Sequence, residues 1–204
     1  MKNDVKETDL NRREFLQKFS QAVGYTAAAT VLAGSGLSVA FAYTPKSDSA
    51  SRPGLLFTQA QMQTLRDICD TILPATDTKS GAEVDCHGFV DHQLVQCHSE
   101  AQQQMCVSAV ELVERNAQSA HSKAFTELRS EQQTKILRDI EALQSATGDE
   151  KGQFKFLKSL IVFGYFTSEE GVTKALSFQP YPGGFKGSIP VNADTKAWGS
   201  LNYY

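Results

Sequence analysis

Thr58-Gln59-Ala60-Gln61-Met62-Gln63-Thr64-Leu65-Arg66-Asp67-Ile68-Cys69-Asp70-Thr71-Ile72-Leu73-Pro74 is the stretch that decides the fold. Met62, Leu65, Cys69, Ile72 and Leu73 recur at helical spacing and lie on one face. Thr58 stands where a helix N-cap belongs. Pro74 ends the helix, since it brings no backbone N–H and its ring crowds the turn before it.

Toward the C-terminus the helical period continues. Pro74 to Gly88 is turn chemistry, rich in short polar side chains that compete for backbone hydrogen bonds. Phe89, Val90, Leu94 and Cys97 mark a second, shorter helix. Ser99 with Gln102 makes a capping box for a third, whose buried stripe is expected at Met105, Ala109, Leu112, Val113 and Asn116. Ser130 and Gln133 repeat the device before Ile136, Leu137 and Ile140, and Gln144 to Gly152 reads as a loop.

Phe154 to Phe166 is the most apolar run of the body, too short to cross a bilayer, and reads as a core helix. Gly164 inside it is unfavourable by roughly 1 kcal/mol against Ala, which points to a close backbone approach or a helix end there. Thr167 to Glu170 opens a short helix through Val172, Ala175 and Leu176. Phe178 to Tyr204, with Pro, Gly and aromatic residues and no period, is expected to run as an ordered coil. The fold class is therefore all-α, a compact bundle of about five to six helices with a C-terminal coil, over residues 58–204.

Toward the N-terminus, residues 43–57 are rich in Ser, Pro and Lys and read as a linker or a pinned extended arm. Before them, Arg12-Arg13-Glu14-Phe15-Leu16 followed by a mild apolar stretch is a twin-arginine export signal, an address that a receptor reads. Ala40-Phe41-Ala42 is the small-x-small pattern a leader peptidase accepts, so cleavage is expected after Ala42. The alternative is an uncleaved leader held in the inner membrane. Residues 1–42 thus form a signal peptide for the twin-arginine translocon, and the body is expected in the periplasm.

The whole chain has 204 residues with 20 Lys plus Arg against 23 Asp plus Glu. That length suits one domain beside a leader and is small for a dinucleotide fold with its own substrate half. A net charge of −3 offers no basic field to gather nucleic acid. Twin-arginine export carries folded proteins, so the chain is expected to bind a cofactor or to travel with a protein that does.

Cys86-His87, Asp91-His92 and Cys97-His98 place thiols and imidazoles close together, a ligand set that suits zinc or copper. This supports an alternative reading as a self-sufficient metal or redox protein. Against it, no C-x-x-C pair exists, and on a helix His87 shares a face with Asp91 while His92 and Cys97 point elsewhere. Leu94 stands where the first cysteine of a c-type haem motif would be. No nucleophile elbow and no nucleotide-binding glycine pattern follows a strand, so no catalytic residue, metal ligand or cofactor site is assigned.

Cys69, Cys86, Cys97 and Cys106 are disulfide candidates in an oxidising compartment. Cys86 and Cys97 at opposite ends of one helix would be ~16 Å apart, beyond the roughly 7 Å that a disulfide spans. Of the remaining pairings, 86 with 106 and 69 with 97 is favoured, against plain burial of Cys69 as a small hydrophobe. Tyr181, Phe185 and Trp198 are candidates for partner contact or for packing on their own domain.

Three blocks carry a resemblance: Leu65-Arg66-Asp67-Ile68-Cys69-Asp70-Thr71-Ile72-Leu73-Pro74-Ala75-Thr76-Asp77-Thr78, then Phe163-Gly164-Tyr165-Phe166-Thr167-Ser168-Glu169, then Tyr181-Pro182-Gly183-Gly184-Phe185-Lys186-Gly187. The body resembles the gluconate 2-dehydrogenase subunit 3 family, the small subunits of periplasmic sugar and sugar-acid dehydrogenases. The resemblance implies a non-catalytic partner of a large FAD-dependent subunit of the glucose-methanol-choline class, with a cytochrome c subunit completing the complex. It also implies that the small chain's leader exports both, and that Gly164, Tyr165, Phe166, Thr167 and Ser168 lie near the partner. Where the family often closes on G-C-V-P, this chain has Gly187-Ser188-Ile189-Pro190, so a disulfide to the large subunit from that place is absent.

Overall fold

The computed structural model describes residues 43–143, 150–177, 188 and 190–197. The chain divides between residues 42 and 43 into two units, and the described residues belong to the second. Arg12, Arg13, Phe15, Leu16, Ala40, Ala42, Tyr181, Phe185 and Trp198 lie outside the described residues, as does most of the expected C-terminal coil.

The described residues are helical, as the periodicity required. Five α-helices follow one another: α1 (Gln59–Ile72), α2 (Cys86–Cys97), α3 (Glu100–His121), α4 (Ser130–Ala142) and α5 (Glu150–Thr167). Two 3-10 turns at Ser49–Ser51 and Phe125–Glu127 and a π-helical turn at Gly171–Ala175 complete the body. No described helix is long and apolar enough to cross a membrane.

α1 begins where Thr58 caps it. The Gln61 N–H donates to Thr58 Oγ1 at 3.3 Å, and the Thr58 N–H donates back to Gln61 Oε1 at 3.0 Å. It ends before Pro74 with Leu73 at φ −128° and ψ 74°, outside the helical region that a residue preceding proline avoids. Ser99 and Gln102 cap α3 in the same reciprocal way. The box expected at Ser130 does not form: Arg129 is the N-cap, its side chain makes no cap bond, and only the return half is present, the Arg129 N–H donating to Gln132 Oε1 at 3.1 Å. Gln133 instead donates its amide to the Phe125 carbonyl at 3.0 Å, tying α4 to the turn before it.

The core lies where these faces meet. α3 and α5 form the most extensive pair, with α1 laid across α2, α3 and α4. Leu65, Ile68, Val90, Leu94, Val110, Val113, Phe125, Phe154, Leu157 and Ile161 are buried between them. Each such side chain stabilises the fold by about 1.5–3 kcal/mol relative to its exposed state. On α3 the buried stripe falls on Cys106, Ala109, Val110, Leu112, Val113 and Ala117. Met105 and Asn116, expected inside, are only half-buried because the helix turns Cys106 to the core. A polar cross-tie runs through it: Thr64 donates to Glu114 Oε1 at 2.5 Å, and the other oxygen of Glu114 takes the Phe125 N–H at 3.1 Å.

Candidate functional site

The densest polar chemistry is a clasp between the arm, residues 43–57, and the start of α2. Asp85 is the N-cap of α2 and sits in the left-handed region at φ 61°, which an aspartate tolerates better than most residues. That backbone turn directs its carboxylate both ways. Oδ1 takes the Gly88 N–H at 3.2 Å and faces His87 Nε2 at 3.3 Å. Oδ2 accepts from the Tyr43 hydroxyl, from the Lys46 N–H at 2.7 Å and from Ser49 Oγ at 3.0 Å.

One and a half turns along the same helix, Asp91 holds the other end of the arm. Its Oδ2 takes the Leu55 N–H at 2.6 Å, and Oδ1 takes those of Leu56 at 2.9 Å and Phe57 at 3.2 Å. Both aspartates are buried, at 3% and 5% exposure, and a buried carboxylate is tolerable only with this many donors. The arm approaches so closely that side chains are excluded. A Cβ at Gly54 would collide with the Asp91 carboxylate, and one at Gly88 would stand 2.6 Å from Asp85 Oδ1 and 2.8 Å from Ser49 Oγ. Residues 43–57 are thus fastened at both ends to aspartates of α2 and its cap.

Asp85, His87 and Ser49 have the residue types of a hydrolytic triad in the wrong order. The carboxylate stands in the middle, and His87 Nδ1 has no hydrogen-bond partner, so no hydroxyl is activated by the imidazole. Burial depresses the pKa of His87, opposed by the Asp85 charge and helped by Arg66, so the ring favours its neutral form. The same environment and the bond to Asp85 push the Tyr43 phenol well up. An open groove of about 660 Å³ lies beside the clasp, lined among others by Lys46, Arg66, Asp67, Lys79, Glu83 and His87.

The Cys and His cluster does not converge. Cys86 is buried at the first turn of α2 and Cys97 is exposed at its last, as helix geometry requires. His87 and Asp91 share the inner face, Asp91 occupied with the arm. Among the described residues, no group of three or more His, Cys, Asp or Glu side chains could hold a metal ion. All four cysteines are free, and neither favoured disulfide is formed. Cys69 is wholly buried and Cys97 exposed, so that pairing would require one to leave its place. Burial pushes the Cys86 and Cys106 thiols up to about 12, and that of Cys69 well above its ordinary value.

The residues linked to partner contact divide. Gly164 and Tyr165 face inward, Phe166 is half-buried, and Thr167 is exposed. The Thr167 hydroxyl donates to the Phe163 carbonyl at 2.7 Å and that of Ser168 to the Tyr165 carbonyl at 2.6 Å, so both shape the end of α5. Gly164 lies against Phe89, whose ring would stand 2.5 Å from a Cβ there. This is the close approach its sequence position implied. The outward group is Phe163, 47% exposed, packed on Phe89 at 6.1 Å, which in turn meets Tyr43 edge-on at 5.9 Å.

Sequence reading missed Tyr43, Asp85 and Phe163 as site residues, and weighed Asp91 only beside His87 as a metal ligand. An aspartate on the inner face of an apolar helix was the available signal, since a buried carboxylate demands donors from elsewhere.

Fold and sites together define a helical protein whose two buried aspartates, Asp85 and Asp91, are spent on its own arm. Residues 59–183, more than half of the chain, match the family described as gluconate 2-dehydrogenase subunit 3. The chain belongs to that family, whose name is that of a subunit of a dehydrogenase complex. No curated protein and no solved structure matches it.

Proposed function

We propose that this chain is the non-catalytic small subunit of a periplasmic flavin-dependent sugar or sugar-acid dehydrogenase. It binds a large FAD-dependent subunit, stabilises it, and supplies the twin-arginine leader that carries the folded pair through the inner membrane. FAD belongs to the partner, and a cytochrome c subunit takes the electrons onward. The observation that carries this reading is the family match over the helical body. The leader motif at Arg12 and Arg13 adds the export role.

The contact surface in this reading is the aromatic edge of α5 and α2, where Phe163 is exposed above Phe89 and Phe166 is half-buried. Aromatic side chains of this kind anchor interfaces when a partner desolvates them. The test is co-expression with a large flavoprotein. Arg12→Lys with Arg13→Lys should leave the dehydrogenase activity of both chains in the cytoplasm, and the unaltered pair should co-purify with flavin absorbance. Periplasmic activity unchanged by the two lysines would overturn the escort role.

A further inference from the structure

The open groove beside the clasp is built from stretches remote in sequence: the arm from Lys46 to Ser51, α1 at Arg66 and Asp67, the loop before α2 at Lys79 and Glu83, and α2 itself at His87. Its volume of about 660 Å³ falls within the roughly 300–1,000 Å³ of small-molecule sites. Lys46, Arg66 and Lys79 bring three positive charges to it, against the two carboxylates of Asp67 and Glu83. Both acids are engaged by the chain: Asp67 Oδ1 lies 3.2 Å from the Arg66 guanidinium, and Glu83 Oε2 accepts the Ser80 N–H at 2.8 Å. Among the described residues no ion pair neutralises Lys46 or Lys79. The groove is therefore suited to an anion.

His87 forms part of the groove wall, with its side chain only 6% exposed. Nε2 lies 3.3 Å from Asp85 Oδ1, and a carboxylate only accepts, so the ring keeps its proton on that side. Burial first, and the Arg66 charge with it, hold the ring neutral against the pull of Asp85. Nδ1 is then an acceptor, and no group of the chain donates to it. A buried acceptor without a donor is unfavourable, and a hydroxyl from a bound molecule would satisfy it. The cations thus call for a carboxylate and the imidazole for a hydroxyl. Ser47, Ser51, Gln63 and Thr126 offer the same groove hydroxyl and amide groups that suit further hydroxyls.

We propose that this groove binds a small hydroxylated carboxylate, its carboxylate held by Lys46, Arg66 and Lys79 and one of its hydroxyls donating to His87 Nδ1. The site uses none of the residues of the aromatic edge assigned to the large subunit. It goes beyond the escort role, since it makes the subunit a receptor for a hydroxy acid, and it depends on neither the partner nor the leader.

The experiment is calorimetric titration of the full-length chain with three probes of equal carbon number: D-gluconate, sorbitol, which has the hydroxyls without the carboxylate, and hexanoate, which has the carboxylate without the hydroxyls. Gluconate should bind saturably and the other two at least about 10-fold more weakly, the loss expected when a charge-assisted hydrogen bond is removed. Arg66→Gln and Lys46→Gln should each weaken gluconate by about the same factor. Lys46→Gln retains the backbone N–H that Asp85 takes, and the comparison of probes needs no substitution at all. The nitrogen resonance of His87 Nδ1 should move on addition of gluconate and stay in place with hexanoate. Absence of saturable gluconate binding, sorbitol or hexanoate binding as well as gluconate, an affinity unchanged in either variant, or a His87 resonance indifferent to gluconate would overturn the proposal.

Discussion

The Tyr165 hydroxyl donates to the Lys79 carbonyl at 2.8 Å, fastening the end of α5 to the loop between α1 and α2. The same oxygen shares a 2.8 Å hydrogen bond with the Thr78 hydroxyl. Tyr165, which the family resemblance put near a partner, is thereby a buried brace inside the subunit. Tyr165→Phe keeps the ring and removes both bonds, and should destabilise the fold by about 1 kcal/mol in urea unfolding.

Asp91 should be the more sensitive position. Asp91→Ala leaves the N–H groups of Leu55, Leu56 and Phe57 without their acceptor, with an expected loss of about 3 kcal/mol or more. Asp91→Asn retains one acceptor oxygen and should lose less. Hydrogen exchange at Leu55 to Phe57 would report the arm's release directly, faster in both variants than in the parent.

Gly164→Ala pits helix propensity against space. Ala is favoured in a helix by about 1 kcal/mol, yet its Cβ would meet the Phe89 ring at 2.5 Å. The ring must move, and overpacking of this kind costs typically 1–3 kcal/mol, so a net loss of stability is expected by thermal unfolding.

Thiol reactivity should be sharply divided. Cys97 is exposed, whereas Cys69, Cys86 and Cys106 are buried with thiols held protonated by the apolar surroundings. A maleimide should add once to the native reduced chain and four times after denaturation, as read by intact mass.

Stability should fall on mild acidification through His87. Its folded pKa lies below the ordinary value of 6.5, because burial disfavours the charged ring. The unfolded chain therefore binds the proton first, so stability is intact above about pH 6.5 and declines as pH falls toward the folded pKa. Urea unfolding between pH 5 and pH 8 should show this slope, and His87→Gln should flatten it.

Helices and their ends were legible because their causes are local. Thr58 caps with Gln61 three residues on, Ser99 with Gln102, and Pro74 halts α1, all within one turn of chain. The device expected at Ser130 is not made: Gln133 is drawn to the Phe125 carbonyl, and only the back-bond of Gln132 to the Arg129 N–H remains. The short helix expected after Thr167 forms, with π-helical hydrogen bonding at Gly171–Ala175 and the Gly171 N–H on Ser168 Oγ at 3.1 Å.

What the amino-acid order alone determined is the all-helical class, the faces that turn inward and the family, since period, capping and signature blocks are written within short spans. What only the tertiary structure decided is the use of the acids and aromatics. Asp91 and the arm it holds are separated by 34 to 36 residues, and no local pattern states which distant N–H a buried carboxylate will take. Tyr165 turned inward and Phe163 outward for the same reason: opposite faces of a helix that is apolar all round look alike until neighbours from other helices fill one side.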